Sequence, residues 1–146
     1  MYARSISVCA GVLLLVAAFG NCAIGAEDWP RFRGVNGSGI STSHGLPVEF
    51  GPEKNVVWKV KTPPGSSSPV ISRGQLFFSS FEGDRRTLHC LDAATGKPLW
   101  TQSVTKLREE AATRPNGPAT PTPACDGQSV FVLYPDVGVL GYSTSG

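Results

Sequence analysis

The stretch LDAATGKPLW, residues 91–100, sets an apolar residue and an acid ahead of a Thr-Gly pair and returns to a Trp four positions after the glycine. An Asp at position 92 can accept hydrogen bonds from the amides of the following turn, as Asx turns do. Gly96 can take the positive φ that a tight reversal needs. The runs on either side, TLHCLD and PLWTQSV, have strand composition, so the stretch reads as a turn joining two antiparallel strands.

Working outward, the runs SPVIS and QLFFSSF precede it, separated by the short polar turns RG and EGDRR. Four β-rich runs with short connections predict a four-stranded antiparallel meander over residues 67–106. Further upstream, NVVWKVK puts Val56, Trp58 and Val60 on one face and Val57, Lys59 and Lys61 on the other, the period of two of a strand over 56–62. TPPGSS breaks it. Residues 27–55 are rich in Gly, Ser and Pro with scattered aromatics and no period, an extended arm pinned by those aromatics. The 17 Gly and 12 Pro fit an all-β chain of short runs, and only TKLREEAA has the composition for a helical turn or two.

Self-similarity decides the architecture. SPVISRGQLFF at 68–78 recurs as TPACDGQSVFV at 122–132, with Pro69 matching Pro123 and Phe77 matching Phe131 at an offset of 54 residues. Trp58 and Trp100, each ahead of such a core, lie 42 apart, and a loop over 107–120 supplies the difference. Repeats of this length encoding four short strands predict a β-propeller, whose blades pack face to face around a channel. The fold expected is therefore a partial propeller of about one and a half blades: a first blade at 67–106, an insertion loop at 107–120 and an incomplete second blade at 121–146, all within a repeat region 63–146. Trp100 then covers the gap between blades, burying on the order of 200 Å² of ring. The role of the opening stretch is blade cohesion.

CLDAATGKPLW resembles the tryptophan-docking motif of pyrroloquinoline quinone (PQQ) type propeller repeats, Ala-x-Asp-x-x-Thr-Gly-Lys-x-x-Trp, with Cys90 in place of the usual Ala. The ordered series DWPRFRGVNGSG, LPVEF, NVVWKV, SSPVI, LHCLDAATGKPLW and ATPTPACDGQSVFV is similar to the amino-terminal part of exported PQQ-like repeat proteins. The resemblance implies a structural docking set of Cys90, Asp92, Thr95, Gly96 and Trp100 with Trp58. It also implies that 56–62 is a lone closing strand, the outer strand of a last blade whose three partners belong to the carboxyl end of a whole ring. VFVLYPDVGVLGYSTSG breaks off as a second docking turn begins, Gly146 standing opposite Gly96. The chain thus reads as an amino-terminal fragment lacking its C-terminal blades.

Residues 1–26 read as a secretory signal peptide. Arg4 precedes an uncharged apolar run from Val8 to Phe19, and small residues close the segment at Gly25-Ala26. Twelve apolar residues fall short of the roughly 20 that span a bilayer, so no membrane span is expected after cleavage, and the location expected is periplasmic or extracellular. Phe19-Gly20-Asn21 before Cys22 departs from the small-residue pattern of lipoprotein cleavage. Setting the leader aside removes one basic residue of 13 and none of the 11 acids, leaving a near-neutral chain with no footprint for nucleic acid. Of the four cysteines, Cys90 and Cys125 stay. Export permits a bridge between them, while their apolar settings suit two free, buried thiols.

No catalytic, cofactor or metal residues are assigned. GVNGSG at 34–39 has no following Lys-Ser or Lys-Thr and no strand-to-helix context for a phosphate loop. Asn36 opens a formal glycosylation sequon. His44 and His89 have no ligand spacing, and Ser66, Ser67 and Ser68 have no paired His and acid. The first reading is a non-catalytic exported propeller that binds a protein or glycan of the cell envelope. The alternatives are a PQQ-dependent dehydrogenase, which would need a vicinal cysteine pair that is absent here, and the extracytoplasmic sensor of a signalling protein. With fewer than two complete repeats, the chain by itself is not expected to form a stable compact monomer.

Export predicts removal of the leader close to Glu27. Mass spectrometry of secreted material should find an amino terminus there, and an intact Met1 on a membrane-retained chain would contradict it.

Overall fold

A computed structural model describes residues 27–110 and 115–146; the signal peptide expected at 1–26 lies outside the described residues. Seven strands form two antiparallel sheets: β1 (Val70–Ser72), β2 (Gln75–Glu82), β3 (Arg85–Asp92) and β4 (Pro98–Thr105) in one, β5 (Ala124–Cys125), β6 (Ser129–Tyr134) and β7 (Gly138–Ser143) in the other. Each sheet is a meander in chain order. The fold is all-β, built of partial propeller blades, and the boundaries follow the turn chemistry: Arg73-Gly74 at positive φ between β1 and β2, Gly83 at positive φ before β3, Gly96 before β4.

The repeat seen in sequence is a repeat in space. Phe77 faces Val70 and Cys90 across the first sheet, as Phe131 faces Ala124 and Gly141 across the second. Their environments differ. Phe77 is fully buried and Phe131 is 44% exposed, because the face of the first sheet bearing Phe77, Leu88 and Cys90 packs on Val130, Val132 and Tyr134 of the second, while the Phe131 face points away.

A buried ion pair joins the two sheets at one end of this core. Arg86 on β3 donates from Nε to both carboxylate oxygens of Asp136 in the β6–β7 turn, at 3.2 and 2.9 Å, and its second guanidinium nitrogen pairs with the same carboxylate. The remaining Arg86 donor reaches Gly83 O and Arg85 O. At 5% and 4% side-chain exposure, the pair is held in a medium where removing one partner strands a charge.

Segment 56–62 enters no ladder among the described residues. A strand is defined by its hydrogen-bonded neighbour, and none lies beside this alternating run. The arm is held at its start: Trp29 bridges Ile71, with N···O distances of 2.7 and 2.9 Å, Pro30 O accepts from Cys125 N, and Trp29 packs against Gly34. The other aromatics of the arm do not pin it, since Phe32 is 62% and Phe50 79% exposed. Glu27 is gripped by the hydroxyls of Ser41, Thr42 and Ser43 and by Thr42 N. These bonds, Ser41 foremost, bring its carboxyl down to about 2. No helical turn forms over 105–110, the described part of TKLREEAA, because its amides are used elsewhere: Lys106 N donates to Asp84 O and Leu107 N to Asp136 O.

Arg86→Ala or Asp136→Ala should each cost about 3–5 kcal/mol in the full chain by urea unfolding. The double replacement Arg86→Met with Asp136→Leu should recover most of that loss, since two apolar side chains leave no stranded charge.

Candidate functional site

Two turns at corresponding places in the two sheets each receive an indole. In the first, Asp92 Oδ1 accepts from Thr95 N at 2.8 Å and Thr95 Oγ1 at 2.7 Å, while Gly96 N donates back to Asp92 O at 2.8 Å. The Thr95 hydroxyl, and after it the Thr95 amide, hold the Asp92 carboxyl below its ordinary value. Gly96 has φ +71°, and a Cβ there would lie 2.6 Å from the Trp58 ring. Trp58 Nε1 donates to Ala93 O at 3.1 Å. The glycine is thus required twice, by conformation and by contact.

The second turn is one residue tighter. Gly146 N donates to Ser143 O at 3.0 Å, and Ser145 N donates to Ser143 Oγ at 3.2 Å, so Ser143 stands where Asp92 stands in the first. The backbone bonds fix the correspondence: Thr144 N donates to Gln128 O as Ala93 N donates to Gly74 O. Trp100 Nε1 donates to Thr144 O at 3.0 Å, and its ring lies over Gly146. Trp100 therefore belongs not to the turn in its own motif but to the turn of the following sheet. Leu99 bulges out of the β3–β4 ladder between Pro98 and Trp100, re-aiming the indole so that it also meets Phe77 at 5.8 Å between ring centroids.

Cys90 faces Trp100 across the ladder and is fully buried. Burial, with Cys125 second, pushes its thiol up to about 11, far from the thiolate that redox or metal chemistry would use. Cys90 and Cys125 are both free thiols.

On the face of the first sheet opposite the core, a groove of 220 Å³ runs between Trp58, Val60 and Thr62 on one side and Pro69, Leu76, Phe78 and Leu91 on the other. The three residues of the first side are alternate positions of the expected closing strand. Beside the groove, His89 stacks on Phe78 at 4.6 Å and 7° between planes, and its Nε2 shares a 2.7 Å hydrogen bond with Ser80 Oγ. Burial lowers the His89 pKa. Ser80 is 1% exposed, so the pair orients a ring and presents no hydroxyl to a substrate. Among the described residues, no three of His, Cys, Asp and Glu lie together as metal ligands.

The residues that sequence reasoning passed over are the groove's Leu76, Phe78 and Leu91 and the Arg86–Asp136 pair. The groove had a signal: β2 carries Leu76 and Phe78 on one face and Phe77 and Phe81 on the other, and apolar residues on both faces mark a strand covered on both sides. The ion pair had none, since its members lie 50 residues apart, Arg86 on β3 and Asp136 in the β6–β7 turn.

Residues 49–146 match the family described as outer membrane protein assembly factor BamB, a PQQ-like repeat family. No curated protein matches the chain.

Trp100→Ala removes a ring from the junction of the two sheets together with its hydrogen bond to Thr144. In the full chain this should cost about 3 kcal/mol by denaturant unfolding, and a loss below about 1 kcal/mol would show that the ring does not hold the sheets together.

Proposed function

The chain belongs to the PQQ-like repeat family, and we propose that it serves as a non-catalytic, exported binding module that engages protein of the cell envelope. The family's description names an outer membrane protein assembly factor, a role in which surface recognition, not bond chemistry, is the work done. The use of the motif residues supports this reading. Asp92, Thr95 and Gly96 are occupied by their own turn and by Trp58, and Trp58 and Trp100 spend their indole donors on backbone carbonyls. On this reading the module needs no PQQ, and it acts outside the cytoplasm once its leader is removed.

The observation that carries the reading is a row of exposed apolar side chains on the arm. Leu46, Val48 and Phe50 are 69%, 97% and 79% exposed at alternate positions, with Pro47 and Glu49 between them. The backbone turns at Val48 and enters no sheet there, so the three side chains stand out on an apolar loop that aromatic side chains of a partner strand can cover. Apolar surface of this kind on a soluble chain marks a contact site.

The test uses a labelled peptide copying an aromatic-rich strand of an outer membrane barrel, titrated with the full exported chain and read by fluorescence anisotropy. Saturable binding that falls at least tenfold when Leu46, Val48 and Phe50 are all replaced by Ser is expected. Absence of binding would overturn the proposal. So would alcohol-dependent reduction of a dye on adding PQQ and calcium, the signature of a quinoprotein dehydrogenase.

A further inference from the structure

The apolar loop is carried by a limb of the arm that touches neither sheet. Among the described residues, 40–50 enter no ladder and make no hydrogen bond to either sheet. The three residues after Glu27 are the opposite case, fixed to both. Asp28 Oδ1 accepts from Arg73 N at 2.9 Å, Trp29 exchanges backbone bonds with Ile71 on β1, and Pro30 O accepts from Cys125 N on β5 at 2.8 Å. Glu27 thus stands on backbone whose position the packed sheets have already set.

Its side chain reaches from there to the limb. A carboxylate offers about four acceptor sites, and four donors meet this one: Ser41 Oγ, Thr42 N at 3.2 Å, Thr42 Oγ1 at 3.0 Å and Ser43 Oγ at 3.1 Å. All four come from three successive residues, so the bonds close a single loop of the arm. Hydrogen bonds to an ionised acceptor are the strong kind, and these, Ser41 foremost, are what hold the Glu27 carboxyl at about 2. Beyond Ser43, residues 44–48 make no hydrogen bond among the described residues, and Gly45 bends the chain at φ +68°. The next tether is Glu49, whose carbonyl accepts from Asn55 Nδ2 at 2.6 Å and whose carboxylate pairs with Lys54. Leu46 and Val48 therefore stand between two tethers, and only the one at Glu27 leads back to the sheets through anchored backbone.

We infer that Glu27 is the positioning residue of the apolar loop: its carboxylate clasps Ser41, Thr42 and Ser43 to backbone anchored on both sheets, and so presents Leu46, Val48 and Phe50 to a partner already in place. This rests on reading that loop as the binding surface. Ordering a loop costs conformational entropy, and a tether closed before the partner arrives removes that cost from binding. The clasp lies outside the core between the sheets, so it acts on the loop without acting on the fold. Its dependence on pH follows from the lowered carboxyl: the clasp is complete above the ordinary value of 4.5 and is lost as pH falls through about 2.

In the full exported chain, Glu27→Ala should lower the backbone order parameters of residues 41–48, read by amide nitrogen relaxation, to below about 0.6. The same variant should weaken binding of the barrel-strand peptide about three- to tenfold in the anisotropy titration, with the urea midpoint unchanged. Ser41→Ala combined with Ser43→Ala should reproduce both losses from the other side of the clasp, and Glu27→Gln, which keeps one acceptor oxygen, should recover part of the affinity. In the unmodified chain the Glu27 carboxyl resonance should titrate near 2, and titration near 4.5 overturns the inference. Unchanged loop order in Glu27→Ala overturns it too, as does a loss of order that leaves the affinity intact. If the unmodified chain does not bind the peptide, the reading of the loop as a binding surface fails, and the relaxation measurement alone decides whether Glu27 positions the loop.

Discussion

The junction of the two sheets depends on an indole donating to a turn carbonyl one sheet ahead. Trp100 reaches Thr144 O and rests on Gly146, and Trp58 reaches Ala93 O and rests on Gly96. The contact has a direction, because each motif gives its Trp forward and receives another on its glycine. One ten-residue stretch is thereby a part of two different junctions. An apolar ring needs a flat partner, and a turn can offer one only where a residue lacks Cβ. At Gly96 a methyl group would stand 2.6 Å from ring carbons, inside any tolerable contact, so the junction cannot form around another residue without moving the turn.

The core between the sheets adds a second kind of constraint. Phe77, Leu88, Val130 and Val132 supply apolar burial without a preferred register, whereas the Arg86–Asp136 pair satisfies its geometry in only one relative placement of the sheets. Such pairs add little net stability over apolar replacements, yet cost several kcal/mol when broken. Tyr134 Oη and Ser79 Oγ are buried in the same region without a partner, at a cost of about 1–3 kcal/mol per such group. The core is therefore specific at some expense in stability, and the docked indoles help to offset it.

Among the described residues, the groove over Leu76 and Phe78 and the outer face bearing Phe131 and Leu133 are left uncovered. The arm is independent of both: it is tied to the inner edges of the sheets through Trp29 and Pro30, which leaves Leu46, Val48 and Phe50 on the outside. Binding through the arm thus leaves both sheet faces untouched.

The strands of the first sheet, its turns and the repeat of 68–78 at 122–132 were legible in the sequence, because alternation, Gly placement and Asp-Thr-Gly chemistry act over a few residues and need nothing distant. The turn formed by Asp92, Thr95 and Gly96 was legible for the same reason. Which turn each Trp reaches was not, since the motif shows Gly96 and Trp100 side by side while the fold sends them to different partners. Nor was the fate of 56–62: its period of two is a local property, but a ladder requires a neighbour, and among the described residues Trp58 meets a turn while the segment meets no strand. The arm's aromatics show the same division, Trp29 half-buried against Gly34 while Phe32 and Phe50 stay exposed, as does the pairing of Arg86 with Asp136. Local backbone preference is written in neighbouring residues; the burial of a particular side chain depends on which surfaces meet, and only the packed sheets decide that.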